Sequence, residues 1–162
     1  MNSQLALRVP EPEDHGWVLE SHGLVYRDQR DWDAPGFMAL VARVIADFMA
    51  DHDPARERAW IAELGGERVG SIYCTRRFRD VAQLRLLLVV PWAQGAGAGS
   101  ALVRECVRFA REAEYRQMML WTNSRLASAR RIYEAEGFRL RSEQEDEVFG
   151  TSSLAQEFWL DL

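Results

Sequence analysis

The residues of this chain best suited to chemistry lie in one run, Leu84 to Gly99, reading LRLLLVVPWAQGAGAG. It begins as an apolar stretch of strand length, and Pro91 can end that stretch because it brings no N–H to a ladder. Gly95, Gly97 and Gly99 follow, and then SALVRECVRFAREA reads as a helix. A glycine turn between a strand and a helix N-terminus presents bare N–H groups at the positive end of the helix dipole, which suits an anionic phosphate. The same residues would also serve as a plain tight turn. A dinucleotide fingerprint does not fit: the glycines alternate, position 100 is Ser, and no acidic residue closes a second strand about 20 residues on. A Walker loop is excluded because all twenty basic residues are arginine. The lack of lysine also removes Schiff-base and PLP chemistry.

Other residue types offer less. Cys74 and Cys106 have neither disulfide-framework nor zinc-site spacing and read as small core thiols. His15, His22 and His52 also lack metal-ligand spacing, so no metal is expected. A net charge of −5 argues against a nucleic-acid surface. No stretch approaches the 18 or so apolar residues of a membrane span. The opening MNSQLALRVPEPED has no signal-peptide character, so a cytoplasmic protein is expected.

These groups must be held by elements that the pattern makes visible. Gln4 to Val9 is a short strand. Pro12, Glu13 and Asp14 suit the first turn of a helix that sets Trp17, Val18, Ser21, Leu24 and Val25 on one face. Phe37, Leu40, Val41, Val44, Ile45 and Phe48 give the clearest amphipathic helix, over Phe37 to Met49. Arg58 to Leu64 and Val69 to Arg76 form a hairpin about Gly65-Gly66. The central strand spans Gln83 to Val90. The following helix carries Ala98, Leu102, Cys106, Phe109 and Ala113 along its buried stripe. A strand over Gln117 to Thr122 precedes a helix over Leu126 to Glu136, closed by Gly137. A strand from Phe138, the charged connection SEQEDEVFGTSS and a strand over Leu154 to Leu160 complete the chain. The order β-α-α-β-β-β-α-β-α-β-β implies one α/β domain, residues 1–162, with a mixed sheet.

Gln94-Gly95-Ala96-Gly97-Ala98-Gly99 fits Gln/Arg-x-x-Gly-x-Gly/Ala behind an apolar strand, and Asn123-x5-Ala129-x3-Tyr133-x3-Gly137-Phe138 follows. Over about residues 83 to 140 this resembles the GNAT superfamily of acyl-CoA-dependent N-acetyltransferases. The pattern LRLLLV…LV.EC.RFAR…YR…LWTNS…AR.IY…GF is similar to the GNAT domain fused behind MarR-type winged helices in bacterial regulators; this sequence carries no such DNA-binding portion. The resemblance implies a mostly antiparallel sheet with about four helices, splayed between the Gln83–Val90 and Gln117–Thr122 strands.

It also implies roles. Backbone N–H groups of Gln94, Gly95, Ala96, Gly97, Ala98, Gly99 and Ser100 would hold the pyrophosphate of acetyl-CoA, the co-substrate. Leu88, Val89 and Val90 would pair with its pantetheine arm, and Asn123 would meet that arm from the neighbouring strand. A backbone N–H near Val89 or Val90 would stabilise the oxyanion, and Tyr133 would protonate the departing thiolate. Gln94 stands where many members carry arginine and brings no charge to the phosphates. The acceptor would be a primary amine of a small molecule or peptide; a non-catalytic acyl-CoA sensor or regulatory partner is the alternative. Trp17, His22, Tyr26, Trp32, Phe78 and Trp121 are candidate lining for the acceptor, in an acidic pocket suited to a cationic amine. Glu20, His22, Glu63 and Asp80 are placed to act as base. The last strand could offer an edge for a homodimer.

Overall fold

The computed structural model describes residues 4–30, 35–145 and 153–162. Seven strands form one sheet: β1 (Leu5–Arg8), β2 (Arg58–Leu64), β3 (Glu67–Phe78), β4 (Val81–Val89), β5 (Gln117–Asn123), β6 (Arg139–Glu145) and β7 (Leu154–Asp161), in the spatial order β1-β2-β3-β4-β5-β7-β6. Four helices pack on it: α1 (Pro12–Arg30), α2 (Pro35–Ala50), α3 (Ala98–Glu112) and α4 (Ala127–Ala135). A single 3-10 turn, Pro91–Ala93, joins β4 to the glycine loop. Every pairing is antiparallel except β4 with β5, which run parallel. The element order is the one read from the sequence, but the last strand, β7, is paired on both sides, by β5 and β6, and so offers no edge to a second copy.

The sheet has a core on each face. On one, α3 and α4 cover Leu102, Cys106, Met118, Leu120, Phe138 and Phe158; on the other, α1 and α2 cover Val18, Val41, Ile45, Phe48, Ile61 and Tyr73. Each such apolar side chain removed from water contributes about 1.5–3 kcal/mol before entropy is counted. Both cysteines are free and buried.

The buried face of α1 differs from the apolar stripe. Val18, Ser21 and Val25 are buried, but Leu24 is 45% exposed, and Asp14, His15 and His22 are buried instead. Each of these polar groups has a partner, as burial requires. Asp14 accepts from Arg8 at 2.6 and 3.1 Å, from Arg68 at 3.1 Å and from the Glu11 N–H at 2.7 Å, tying β1, β3 and the start of α1 together. The Arg8 guanidinium beside it holds the Asp14 carboxyl down at about 2. His15 Nδ1 is hydrogen-bonded to the Tyr73 hydroxyl at 2.7 Å. On α2, Leu40 is 46% exposed because it overhangs a cavity rather than the core.

Candidate active site

β4 leaves its neighbour soon after the two meet. Pairing with β5 is confined to Val81, Ala82 and Gln83 against Gln117, Met118 and Met119. A bulge explains the departure. Ser71 pairs with Leu88 and Tyr73 with Arg85, so Leu86 and Leu87 together oppose Ile72. Leu86 has a left-handed φ of 54°, and the Ser71 hydroxyl donates to its carbonyl at 2.9 Å. Beyond the bulge the Val90 N–H donates to the Val69 carbonyl at 2.8 Å. Alternation then turns the N–H and C=O of Val89 away from β3, towards the gap.

That gap continues into a cavity of about 410 Å³ at the glycine loop. Leu88, Val89, Gln94, Gly95, Gly97, Ala98, Gly99 and Ser100 line it, with Ser128, Ala129 and Ile132 of α4 opposite. Gly95 and Gly97 both have φ of 87°, and a Cβ on either would meet open space. Glycine is therefore required by the backbone path, not by crowding. Gly97 is the N-cap of α3 and its carbonyl accepts the Ala101 N–H at 3.0 Å, leaving the first N–H groups of the helix directed at the cavity. At Gly99 the packing is close: a Cβ there would lie 2.8 Å from Ile132 Cδ1, so that terminal methyl would have to move aside. Gln94 folds its amide towards the Val89 carbonyl at 3.4 Å. Val90 and Ala96 flank this cavity without lining it.

A second cavity, about 440 Å³, meets the first at Tyr26, Leu87 and Leu126. Tyr133 lines it from α4, its ring buried against Phe138 and Phe158 at 6.0 and 6.5 Å. The helix end fixes it: the Phe138 N–H donates to the Tyr133 carbonyl and the Gly137 N–H to that of Glu134, both at 3.0 Å, a Schellman closure about Gly137 at φ 104°. Among the described residues the Tyr133 hydroxyl has no hydrogen-bond partner. Burial pushes its pKa up, so it stays protonated at neutral pH. Asn123, 2% exposed at the end of β5, donates to Ser153 Oγ at 3.0 Å and accepts from the Arg125 N–H at 2.9 Å.

The walls of the second cavity come from α1, α2, β4, β5 and β7. His22 donates from Nδ1 to the Val18 carbonyl at 2.8 Å and stacks on Tyr26 at 6.0 Å; burial lowers its pKa to about 4, so it is neutral at neutral pH. Of the sequence candidates, His22, Tyr26 and Trp121 line this cavity. Trp17 instead packs on the α1–α2 core under Arg68, and Phe78 is exposed beneath Arg77. Trp32 lies outside the described residues. Among the proposed bases only His22 reaches the cavity; Glu20 is exposed, Glu63 pairs with Arg8, and Asp80 closes a turn whose carbonyl accepts from Arg116 and Gln117.

Sequence reading missed Arg85 and Glu157, the two charged groups among the described residues that line this cavity. Both sit in strands where a lone charge looks like an outward-facing residue. Only the bulge and the parting of β4 from β5 turn that face into a cavity wall. The pocket is thus not simply acidic. Among the described residues no group of three or more His, Cys, Asp or Glu side chains is gathered as a metal would need, and no helix is long and apolar enough to cross a membrane.

Residues 14–138 match the Acetyltransferase (GNAT) family. The chain is 34% identical over 88 residues to N-acetylaspartate synthetase of Danio rerio, covering 54% of this chain and 31% of that one. It is 32% identical over 100 residues to N-acetyltransferase family 8 member 2 of Rattus norvegicus, covering 59% and 44%. The chain thus spans less than half the length of these relatives. Its fold is similar to that of a putative acetyltransferase from Salmonella typhimurium solved with its cofactor acetyl-CoA, with TM-score 0.80, 19% identity, and 99% and 95% of the two chains covered. An acetyltransferase from Streptococcus agalactiae superposes with TM-score 0.78 at 20% identity, over 98% of each chain.

Proposed function

We propose, for a chain that belongs to the GNAT family of acetyltransferases, that it transfers acetyl from acetyl-CoA to a primary amine without a covalent enzyme intermediate. The observation that carries this is that two cavities across the parted strands share Tyr26, Leu87 and Leu126 as walls, with Tyr133 lining the second of them. The residues present fit the co-substrate. The N–H groups of Gln94 to Ser100 would receive the pyrophosphate. The free edge of β4, Leu88 to Val90, would accept the pantetheine amides as a neighbouring strand would, while Asn123, which lines the second cavity, would meet the far end of the arm from β5.

The chemistry follows from the same geometry. The amine nitrogen, arriving neutral from the second cavity, forms a bond to the thioester carbonyl carbon, and the carbon–sulfur bond breaks. Charge on the carbonyl oxygen would fall to the Val89 N–H, since that of Val90 is already bonded to Val69. Tyr133, neutral and without a described partner, would give its proton to the leaving thiolate, and the proton lost by nitrogen would pass to solvent, which returns one to the tyrosinate. The reaction is assigned to the cytoplasm, a reducing compartment in which two free thiols are expected.

Thermal unfolding with and without acetyl-CoA, with NADH and ATP as controls, tests the reading. At 100 times its Kd a ligand adds about 2.7 kcal/mol, roughly 5 to 10 °C of Tm for a chain of this length. A shift with acetyl-CoA alone, followed by free-thiol release with an amine, supports the assignment. Binding without turnover on any amine would reduce the protein to an acyl-CoA-binding module, and no shift would remove the co-substrate altogether.

A further inference from the structure

Arg85 is half-buried in the acceptor-side cavity, and among the described residues it makes neither an ion pair nor a hydrogen bond. A guanidinium taken partly out of water costs free energy unless an anion or acceptor compensates it. The groups around it do not. Arg77 is a second cation nearby, Asp47 is an exposed acid that approaches without pairing, and burial lowers the Arg85 pKa. Glu157, the other charge among the described lining residues, is engaged by the indole N–H groups of Trp121 at 3.2 Å and Trp159.

Register places these groups in one row. Gln83 pairs with Met119, so continuing the parallel alignment sets Arg85 level with Trp121, and Trp121 pairs with Glu157. Tyr73, the partner of Arg85 in β3, belongs to the core under α1 and α2, so the row faces those helices. The cavity floor thus runs from a cation, across an indole, to an anion, roofed by Phe37, Val41 and Val44. Glu157 keeps its charge but already accepts two N–H groups, whereas the Arg85 guanidinium has no acceptor among the described residues.

Resting on the acetyl-transfer reading, we propose that the acceptor is a small amine that also bears a carboxylate, an amino acid in the broad sense, and that Arg85 binds this carboxylate. Arg85 is then a specificity-determining residue: its planar fork takes both carboxylate oxygens and leaves the amine free to approach the thioester. A wholly cationic amine would meet Arg85 and Arg77 as like charges.

The test measures acetylation of matched pairs, leucine against 3-methylbutylamine and phenylalanine against phenethylamine, with glutamate against glutamine for a side-chain carboxylate. Wild type, Arg85→Gln and Arg85→Lys are compared, and acetyl-CoA affinity is measured calorimetrically on each. The expected result is that wild type prefers the member with the extra carboxylate in at least one pair. Arg85→Gln should raise KM for that member about 10- to 100-fold, bring no such rise for its amine partner, which loses a like charge, leave the acetyl-CoA Kd unchanged, and be partly rescued by Arg85→Lys. Amines acetylated with no such preference, or a preference that survives Arg85→Gln, would overturn the proposal while leaving the transferase reading intact. Failure to bind acetyl-CoA, or binding with no amine acetylated, would overturn both.

Discussion

Tyr133 gains nothing for stability from its hydroxyl, which lines a cavity without a described partner, whereas its ring is packed on two phenylalanines. Tyr133→Phe should therefore leave Tm and the acetyl-CoA Kd nearly unchanged while lowering kcat about 100-fold or more. Steady-state kinetics beside calorimetry separates these quantities, and unchanged turnover would end the acid role. His22 makes a pH prediction. Its imidazole titrates near 4 in the folded protein, against 6.5 in an unfolded chain. Between those values the unfolded state binds more protons, so the contribution is complete above about 6.5 and is lost as pH falls towards 4. The loss amounts to about 3 kcal/mol. Urea unfolding from pH 7 to 4 should show a shallower fall for His22→Gln than for the wild type; parallel curves would mean that His22 is not the group responsible.

At the scale of elements, the glycine loop and α3 make a single device. Gly97→Ala forces a side chain into φ of 87° at the helix N-cap, a strain of about 1–2 kcal/mol. Gly66→Ala imposes a similar strain, at φ 84° and in equally open space, in the β2–β3 hairpin. Both variants should lose comparable Tm, but only Gly97→Ala should weaken acetyl-CoA binding, by about tenfold. Equal affinities would show that the loop is merely a connection. The loop was legible because glycine alternation and a following amphipathic stripe are local signals. α2 and α3 were legible for the same reason. α1 was read less well, since its buried face includes Asp14 and His15, which are satisfied by Arg8, Arg68 and Tyr73 from distant strands, and His22, which bonds the Val18 carbonyl of its own helix. Arg85 escaped notice for a related cause: nothing within β4 announces that the strand beside it will be missing.

On the scale of the whole molecule, the sheet is two antiparallel units, β1 to β4 and β5 to β7, that share a short parallel seam and the helix α3. A ligand lying along β4 would shield main-chain groups that the protein itself leaves open. Hydrogen exchange at the Val89 N–H should therefore slow when acetyl-CoA is added, with little change at the Val90 N–H, which is already bonded across to β3. Equal protection of both, or of neither, would argue that the arm does not follow the strand.

The open edge of β4 has a consequence for how such a protein can diverge. What it offers a partner is peptide groups, and these are the same whichever side chains stand at positions 88, 89 and 90. Substitution among strand-forming residues there leaves the edge intact; only proline, by deleting an N–H, removes part of it. Descendants can thus drift widely along this strand and keep their hold on a common acyl donor. The acceptor end, on the proposed reading built from the side chains of Arg85, Trp121 and Glu157, would change its preference with single replacements. Old chemistry and new substrates would then be separable, one held by main chain and the other by side chains.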